Sequence, residues 1–210
     1  MTRLSNFRLI DLFYHAIEAW PRFYEGIIGL FSFGQWEKWQ NRVFEDLSGK
    51  KILEIGVGPG KLLARMAKKG FSVTGIELKP GMADEARRKV KSTGFDVDIL
   101  TQQIHKLPFK NDVFDCIVLT FILAEIVNLD AAILEMRRIL KKGGKVIVIA
   151  GGVPQDNNLV AGILFSLIRS QTVLHLERNN VSYFSKYGFA VKRDDFGPFN
   201  TVNKIVAVKQ

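Results

Sequence analysis

Residues 51–60 read Lys-Ile-Leu-Glu-Ile-Gly-Val-Gly-Pro-Gly, an apolar run that passes directly into three alternating glycines. A short apolar run bounded by glycines is typical of a buried strand followed by a turn. Glycine has no Cβ, so the backbone after the strand can turn tightly and approach a bound molecule closely. Residues 61–69 then carry leucine, methionine and alanine at helical spacing before Gly70. The stretch predicts a strand, a glycine loop and a helix, with a ligand at the loop.

The glycine spacing distinguishes between known kinds of ligand-binding loop. A P-loop needs Gly-x-x-x-x-Gly-Lys-Ser/Thr, whereas here Leu62 follows Gly60 and Lys61. Five positions before Gly60 stands Ile55 instead of glycine. A dinucleotide loop needs Gly-x-Gly-x-x-Gly, and Lys61 takes the place of its third glycine. For a glycine loop considered alone, an ordinary turn without a ligand remains the alternative.

An acidic residue at the end of the next predicted strand connects the loop with a class of ligand. Glu77 closes the run 73–77 and lies 21 positions after Gly56. About 20 residues separate a nucleoside-binding loop from the carboxylate that binds the ribose hydroxyls. A carboxylate also has acceptor lone pairs for two neighbouring hydroxyl groups. The two motifs together indicate a nucleoside-containing ligand, and an exposed acid at a strand end is the alternative.

Strand and helix patterns alternate along the rest of the chain, which predicts an α/β fold. Such alternation is typical of right-handed strand–helix–strand crossovers and a mostly parallel sheet. In these sheets ligands bind at the carboxyl ends of the strands, near the point where the strand order reverses. The predicted helices are 61–69, 82–91 and one that Asp130 caps, and the predicted strands are 51–55, 71–77, 95–101, 113–120, 145–150 and an antiparallel pair, 189–194 and 201–208.

The cysteine and histidine content argues against a metal centre. Cys116 is the single cysteine among 210 residues, so a cysteine-based zinc site lacks ligands and no disulfide can form within the chain. His15, His105 and His175 show no paired spacing of the kind that ligates zinc. We expect no metal requirement.

The chain has a formal net charge of +9, and the basic excess lies in residues 51–210. Its densest basic stretch, 87–91, favours either an anionic partner, such as nucleic acid or a membrane surface, or a solvated helix face. The longest apolar run, 159–168, is too short to span a bilayer. The first residues lack the pattern of a signal peptide. The expected location is cytoplasmic, with peripheral contact to a membrane surface.

Aromatic residues are concentrated at the start of the chain. Eleven of the 23 lie in residues 1–50, including all three tryptophans. A segment of this size buries too little surface to be stable alone, and three glycines between positions 26 and 34 favour short, hinged helices. We expect residues 1–47 to form a mobile helical lid on a domain of residues 48–210. A core helix with an aromatic face is the alternative.

Residues 51–150 resemble the class I S-adenosylmethionine-dependent methyltransferases. The resemblance rests on the glycine loop, on Glu77 and on the stretches 107–109, 114–119 and 138–146. It implies a Rossmann-like sheet of seven strands, mostly parallel with an antiparallel last strand, and helices on both faces. It also implies S-adenosyl-L-methionine as cofactor. Within the family, the chain is similar to the quinone-biosynthesis and phospholipid N-methyltransferases.

The resemblance implies roles for residues around the glycine loop. Glu54 would hold the amino end of the cofactor, directly or through water. Gly56, Gly58 and Gly60 would shape the pocket for its amino-acid and ribose parts. Glu77 would bind the ribose hydroxyls.

Further roles concern the adenine and the methyl group of the cofactor. Leu78 would pack on the adenine ring. Gln103 stands where the family usually has an aspartate that contacts the adenine amino group, and Ile104 follows in the position of the backbone contact. Thr120 ends the fourth strand, where the methyl group should emerge. Tyr24 resembles the tyrosine with which related proteins cap the cofactor.

The chemistry asks little of the protein's own side chains. Methyl transfer from a sulfonium is an in-line displacement with a good leaving group, so alignment and desolvation supply much of the rate. A general base is needed only where the acceptor loses a proton. Glu125 is the best-placed carboxylate beyond the fourth strand, and an exposed helix charge is the alternative reading of it.

The acceptor pocket in this family comes from the N-terminal segment and from the insertion after the fifth strand, and both are apolar here. This favours a small apolar or lipid-like acceptor, of phospholipid-amine or quinone type. The tetrad of nucleic-acid amino-methyltransferases is absent at residues 120–123, which argues against base methylation of that type, and nucleic acid is not the expected partner. The alternatives are an RNA methyltransferase that uses the basic face and a cofactor-binding protein that serves a partner without catalysis.

Overall fold

The computed structural model describes residues 32, 34–152 and 180–210. Tyr24 and the apolar run 159–168 lie outside these residues. The helices are α1 (Trp36–Asn41), α2 (Lys61–Lys68), α3 (Pro80–Ser92), α4 (Leu129–Ile139) and α5 (Asn180–Lys186). The strands are β1 (Lys51–Ile55), β2 (Ser72–Glu77), β3 (Asp98–Thr101), β4 (Phe114–Thr120), β5 (Leu140–Gly151), β6 (Phe189–Phe196) and β7 (Val202–Lys209). Single 3₁₀ turns span Arg42–Glu45, Leu123–Glu125 and Pro198–Asn200.

The seven strands form one sheet in the order β3-β2-β1-β4-β5-β7-β6. Strands β1 to β5 pair in parallel, and β7 is antiparallel to both of its neighbours. The predicted α/β class, the mostly parallel sheet and its antiparallel ending are confirmed. The order reverses between β1 and β4, so the carboxyl ends of these strands flank the place where ligands bind in such sheets.

Helices cover both faces of the sheet because β4 and β5 are apolar on both sides. Ile117 and Leu119 of β4 belong to one buried cluster with α4 and Phe184 of α5. Cys116 and Val118 belong to a second buried cluster with α2 and α3. Alternate residues of one continuous apolar strand thus supply both cores, as expected of a parallel strand buried on both faces. Cys116 is fully buried.

The start of α4 differs from the prediction. Asn128, not Asp130, caps the helix, because its side-chain oxygen accepts a hydrogen bond from the backbone N–H of Ala131 at 3.1 Å. Asp130 lies in the first turn and accepts a hydrogen bond from the Tyr187 hydroxyl at 2.7 Å and one from Lys186 at 3.0 Å. The Asp130 carboxylate, which the sequence pattern predicts to cap α4, therefore binds Lys186 of α5 and the following residue, Tyr187, instead.

Two strand starts differ from the prediction by three residues or more. Strand β5 begins at Leu140, directly after α4, instead of at residue 145. It continues through Gly143 and Gly144, and its pairing with β4 shifts register between Phe114 and Cys116. Edge strand β3 begins only at Asp98, which pairs with Thr74 of β2.

The last part of the 1–47 segment packs on the sheet. Val43 is fully buried in the cluster that contains α2 and α3. Lys204 of β7 is buried and forms an ion pair with Asp46 at 2.7 Å and another with Glu45. Arg42 forms an ion pair with Asp194 of β6 at 2.6 Å. The division at residue 47 remains a prediction, but residues 42–46 are tied to the body by both burial and charge.

No helix within the described ranges is long and apolar enough to cross a membrane.

Candidate functional site

A cavity of 620 Å³ opens at the carboxyl ends of the parallel strands. Its walls come from the loops that follow β1, β2, β3 and β4 and from α1, so it lies where the strand order predicts a ligand. Eight of the predicted site residues line it: Gly56, Gly58, Glu77, Leu78, Gln103, Ile104, Thr120 and Glu125. Glu54 and Gly60 lie outside the lining, and Tyr24 lies outside the described residues.

The three loop glycines all have a positive φ, yet they serve different purposes. A Cβ on Gly58 would meet no atom within 4 Å, so the backbone here borders open space in the cavity wall. A Cβ on Gly56 would lie 2.7 Å from Ile122, which also lines the cavity. A Cβ on Gly60 would lie 2.9 Å from the backbone of Ala86. Gly60 therefore permits α2 to pack on α3 and shapes the pocket only indirectly.

Glu77 tethers the glycine loop to the end of β2. One of its carboxylate oxygens accepts a hydrogen bond from the Gly58 N–H at 2.9 Å, and the other accepts one from the Lys79 N–H at 3.0 Å. The residue is only 8% exposed although it lines the cavity. An ionised carboxylate offers about four lone-pair sites. Two of them remain for a ligand with neighbouring hydroxyl groups.

Glu54 is a buried carboxyl group directly behind the loop. It lies on β1 between Gly75 and Val118 of the flanking strands and is 1% exposed. Among the described residues, its Oε2 atom has no hydrogen-bond partner. Burial raises the pKa of this carboxyl well above its ordinary value, while the nearby positive charge of Arg65 acts in the opposite direction. A buried polar atom without a partner is costly, so a ligand with an N–H donor would stabilise this place.

The part of the cavity formed by the residues after β2 and β3 combines apolar and polar side chains. Leu78 is 59% exposed at its rim, and Ile104 is buried in its wall. Gln103 is exposed beside them, and His105 also lines the cavity, with its Nε2 atom 3.2 Å from the Asn128 carbonyl oxygen. An exposed leucine beside an isoleucine and an amide suits a flat heterocycle that carries polar edges.

The loop that carries Gln103 and Ile104 is held by an ion pair on α4 that the sequence analysis did not identify. Glu135 accepts a hydrogen bond from the Leu107 N–H at 2.6 Å, and Arg138 donates to the Phe109 carbonyl oxygen at 2.8 Å. Arg138 also donates to Glu135 at 2.7 Å. The pKa of Glu135 is lowered, first by the hydrogen bond from Arg138. The stretches 107–109 and 138–146 are both part of the family resemblance, but no sequence pattern indicates that they contact each other.

The end of β4 is locked in an unusual conformation. Phe121 has a φ of 61°, which is uncommon for a residue other than glycine, and its N–H bonds to the Ile149 carbonyl oxygen at 2.7 Å. Its ring stacks on Trp36 of α1 at 3.9 Å between centroids. The hydroxyl oxygen of Thr120 accepts a hydrogen bond from Gln40 at 3.1 Å. Helix α1 thus reaches the point where the sheet opens, and its Trp36 and Gln40 line the cavity.

Arg65 is a further cavity residue that the sequence analysis did not identify. It lies on α2, and its guanidinium reaches Glu37 at 3.0 Å and Gln40 at 3.0 Å. It lines the cavity and acts electrostatically on Glu54. No local pattern in α2 marks Arg65 as a site residue.

Glu125 lies in the 3₁₀ turn after β4 and is exposed at the cavity rim. It borders the same opening as Phe121 and Ile126. Its role in proton transfer remains a prediction. Among the described residues, no group of three or more His, Cys, Asp or Glu side chains could hold a metal ion.

Residues 53–148 match the family model described as "Methyltransferase domain". Among curated proteins, the chain is 30% identical to a demethylmenaquinone methyltransferase of Thermus thermophilus, over 63% of the chain and 62% of the relative. It is also 30% identical to a ubiquinone/menaquinone biosynthesis C-methyltransferase of Shewanella pealeana, over 68% of the chain and 59% of the relative. The chain thus spans about 60% of the length of these relatives.

Among solved structures, the chain is similar to phosphoethanolamine N-methyltransferase 2 of Haemonchus contortus in complex with phosphomonomethylethanolamine and S-adenosylhomocysteine. The TM-score is 0.75 at 20% identity, over 100% of this chain and 61% of that chain. It is also similar to an S-adenosylmethionine-dependent methyltransferase of Thermotoga maritima described as a possible histamine N-methyltransferase. There the TM-score is 0.71 at 20% identity, over 94% of this chain and 100% of that chain. At these identities the structures establish a shared fold.

Proposed function

Because residues 53–148 match a methyltransferase-domain model and the chain shares its fold with solved methyltransferases, we propose that the chain is a class I S-adenosylmethionine-dependent methyltransferase that acts on a small, apolar or lipid-like acceptor. Bound S-adenosylmethionine would supply a methyl group on a sulfonium, whose sulfur leaves as a neutral thioether. The chain's own residues must therefore bind the two substrates, align them and keep water out.

The observation that carries the proposal is the joint placement of two carboxyl groups around the glycine loop. The buried Oε2 atom of Glu54, which has no partner among the described residues, suits the amino group of the cofactor. The two lone-pair sites that remain on Glu77 suit its ribose hydroxyls. Leu78 and Ile104 supply apolar surface for the adenine ring. The donor and acceptor groups thus fit an adenosine that carries an amino acid.

The acceptor end of the cavity supports an apolar substrate. The apolar residues that follow β4 there are Phe121, Ile122, Ile126 and Val127, Glu125 is the charged residue among them, and Trp36 adds to the wall from α1. Val127 is 83% exposed at the rim, so it adds apolar surface at the entrance to the cavity. The names of the curated relatives refer to demethylmenaquinone and to the biosynthesis of ubiquinone and menaquinone, and all of these quinones are apolar. A quinone-type or other lipid-like acceptor is therefore the class we propose.

The basic character of the chain supports access to such an acceptor at an anionic membrane surface. With a net charge of +9, the protein would be attracted to anionic headgroups at low ionic strength. Glu125 is placed at the rim, where it could accept a proton from the acceptor. Neither role is needed for cofactor binding, so each can be tested separately.

The proposal can be tested with the purified full chain in two steps. Calorimetry should show binding of S-adenosylhomocysteine and no binding of NAD. Incubation with S-adenosylmethionine labelled on the methyl group should then transfer label to an organic-soluble fraction of a lipid extract. Binding of NAD without S-adenosylhomocysteine would refute the cofactor assignment. Label in added RNA, with none in lipid, would refute the acceptor class and favour the basic face.

A further inference from the structure

Two side chains of complementary chemistry lie near the glycine-loop end of the cavity: the buried carboxyl group of Glu54, outside the lining, and the partly exposed guanidinium of Arg65, within it. Glu54 lies behind the glycine loop with an unpartnered oxygen, among the described residues. Arg65 lines the cavity, close enough for its charge to act on Glu54. Its Nε atom is also buried without a hydrogen-bond partner among the described residues. Each group therefore has one buried polar atom with no hydrogen-bond partner among the described residues.

The outer side of the Arg65 guanidinium is taken by α1. One terminal nitrogen lies 3.0 Å from a carboxylate oxygen of Glu37, and the other donates to the amide oxygen of Gln40 at 3.0 Å. The Glu37 side chain is 58% exposed, whereas that of Arg65 is 21% exposed. Gln40 also donates to Thr120 at 3.1 Å, so it is fixed at both ends. Glu37 is thus the exchangeable partner, and Gln40 is the fixed one.

We propose that Arg65 binds the α-carboxylate of the ligand's amino-acid part and that this carboxylate replaces Glu37 on the guanidinium. This assignment rests on the proposed function. An α-amino acid carries an ammonium and a carboxylate on one carbon. Arg65 in the cavity lining can take the carboxylate, and Glu54, behind the glycine loop and within reach of the Arg65 charge, can take the amino group. Guanidinium and carboxylate form strong, charge-assisted hydrogen bonds.

The exchange is favoured by the difference in exposure between the two carboxylates. An ion pair with a half-exposed carboxylate contributes little, because water solvates the partners well when they separate. A carboxylate inside the cavity has lost much of its water and gains more from the same guanidinium. The Glu37 side chain can turn into solvent from its six-residue helix. Gln40 stays hydrogen-bonded to both Arg65 and Thr120 and so holds the guanidinium in place. Ligand binding at the loop is thereby coupled to α1.

The test compares two ligands that differ only in the amino-acid part. S-adenosylhomocysteine carries the α-amino and α-carboxylate groups, and 5′-methylthioadenosine lacks both. Arg65→Met should lower the affinity for S-adenosylhomocysteine by roughly 10- to 100-fold, as expected for loss of a charge-assisted pair. Its affinity for methylthioadenosine should stay within about threefold of the unmodified protein, a change too small for a lost hydrogen bond. Arg65→Lys should lose less than Arg65→Met, because it keeps the charge.

A second variant tests the exchange itself. Glu37→Ala removes the competing carboxylate, so the affinity for S-adenosylhomocysteine should rise about two- to fivefold, the value of an exposed ion pair. The affinity for methylthioadenosine should be the same for this variant and for the unmodified protein. In the Arg65→Met background, Glu37→Ala should have no effect on either ligand. Arg88→Met is the matched control, since Arg88 is also a helical arginine paired with a glutamate, Glu85, but lies outside the cavity.

The outcomes separate this inference from the function on which it rests. If the unmodified protein binds neither ligand, the proposed function is wrong. If it binds both and Arg65→Met weakens them equally, Arg65 has only a structural role. If Glu37→Ala weakens S-adenosylhomocysteine binding, Glu37 supports the ligand instead of competing with it, and the exchange is refuted. Thermal melting of each variant shows that the comparisons concern folded protein.

Discussion

At the scale of single residues, Gly58 is the position where a side chain would most directly enter the cavity. Its φ is 51°, which L-residues adopt at a cost of roughly 1–2 kcal/mol. An added Cβ meets no protein atom within 4 Å, so a larger side chain has room to project toward the ligand. We expect Gly58→Val to remain folded, with a modest loss of stability, and to lose S-adenosylhomocysteine binding in calorimetry.

Gly94 offers a matched control for this change. It has a φ of 83°, and a Cβ there also meets nothing within 4 Å, but it lies after α3 and away from the cavity. Gly94→Val should lose a similar amount of stability in urea unfolding and bind the ligand normally. Equal loss of binding in both variants would mean that backbone strain, not occupation of the cavity, explains the result.

Glu77 combines a structural role with a proposed binding role, and the two can be separated. Glu77→Ala removes the acceptor for the Gly58 and Lys79 N–H groups as well as the acceptor for ribose hydroxyls. Calorimetry should show a loss of roughly 1–3 kcal/mol in S-adenosylhomocysteine binding. Asp84→Ala, which removes an exposed carboxylate on α3, should leave binding unchanged.

A ligand without the hydroxyl groups makes the distinction. The 2′,3′-dideoxy analogue of S-adenosylhomocysteine should bind the unmodified protein more weakly than the parent ligand. With Glu77→Ala, the two ligands should bind with similar affinity. If the variant still prefers the parent ligand by the original factor, Glu77 acts through the loop alone.

At the scale of elements, Asp115 joins the start of β1 to the start of β5. Its carboxylate accepts hydrogen bonds from the Lys50 and Lys51 N–H groups at 2.9 and 2.8 Å and from Lys141 at 2.6 Å. The hydrogen bond from Lys141 is the main cause that lowers the pKa of Asp115 to about 2. A Cβ on Gly49 would lie 2.3 Å from this side chain, so the turn before β1 is shaped around it.

The lowered pKa predicts a definite pH dependence of stability. In the unfolded chain the pKa of an aspartate is about 3.9, so the contribution of Asp115 is fully present above that value and is lost as the pH falls toward 2. Asp115→Asn should lower the free energy of unfolding at pH 7 by roughly 1–3 kcal/mol.

Urea unfolding at a series of pH values provides the measurement. The difference in the free energy of unfolding between Asp115→Asn and the unmodified protein should become smaller as the pH falls from 4 to about 2, because the carboxylate becomes protonated there. Asp96→Asn, at an exposed position before β3, is the control and should show little difference at any pH. A difference for Asp115→Asn that stays constant down to pH 2 would contradict the assignment.

At the scale of the whole molecule, the N-terminal segment is expected to respond to the ligand. Trp36, Glu37 and Gln40 of α1 line the cavity, whereas Val43 is fully buried in the core. If residues 1–47 form a lid, hydrogen exchange of their amides should slow when S-adenosylhomocysteine is added. The amide of Val43 should be protected under both conditions and serves as the internal reference. Full and equal protection of the segment in both states would show that it is fixed core.

The sequence by itself determined the succession of the seven strands and of helices α2, α3 and α4, the position of the glycine loop and its relation to Glu77. These features depend on neighbours in the chain: apolar periodicity, glycine conformation and the spacing across one strand–helix–strand unit. The eight predicted residues that line the cavity lie at the carboxyl ends of four parallel strands, where the topology alone predicts a ligand site. The parts of the site that follow from local pattern were therefore predictable.

Only the tertiary structure decided which side chains complete the site. Arg65 pairs with Glu37, Gln40 reaches Thr120 across 80 positions, and Arg138 holds a loop about 30 positions away. Pairings at this distance depend on how α1 and α4 pack on the sheet, which no local pattern encodes. The same reason explains why Gly60 serves helix packing and why Asn128 caps α4. Local chemistry specifies what each element is, and long-range packing specifies which groups meet.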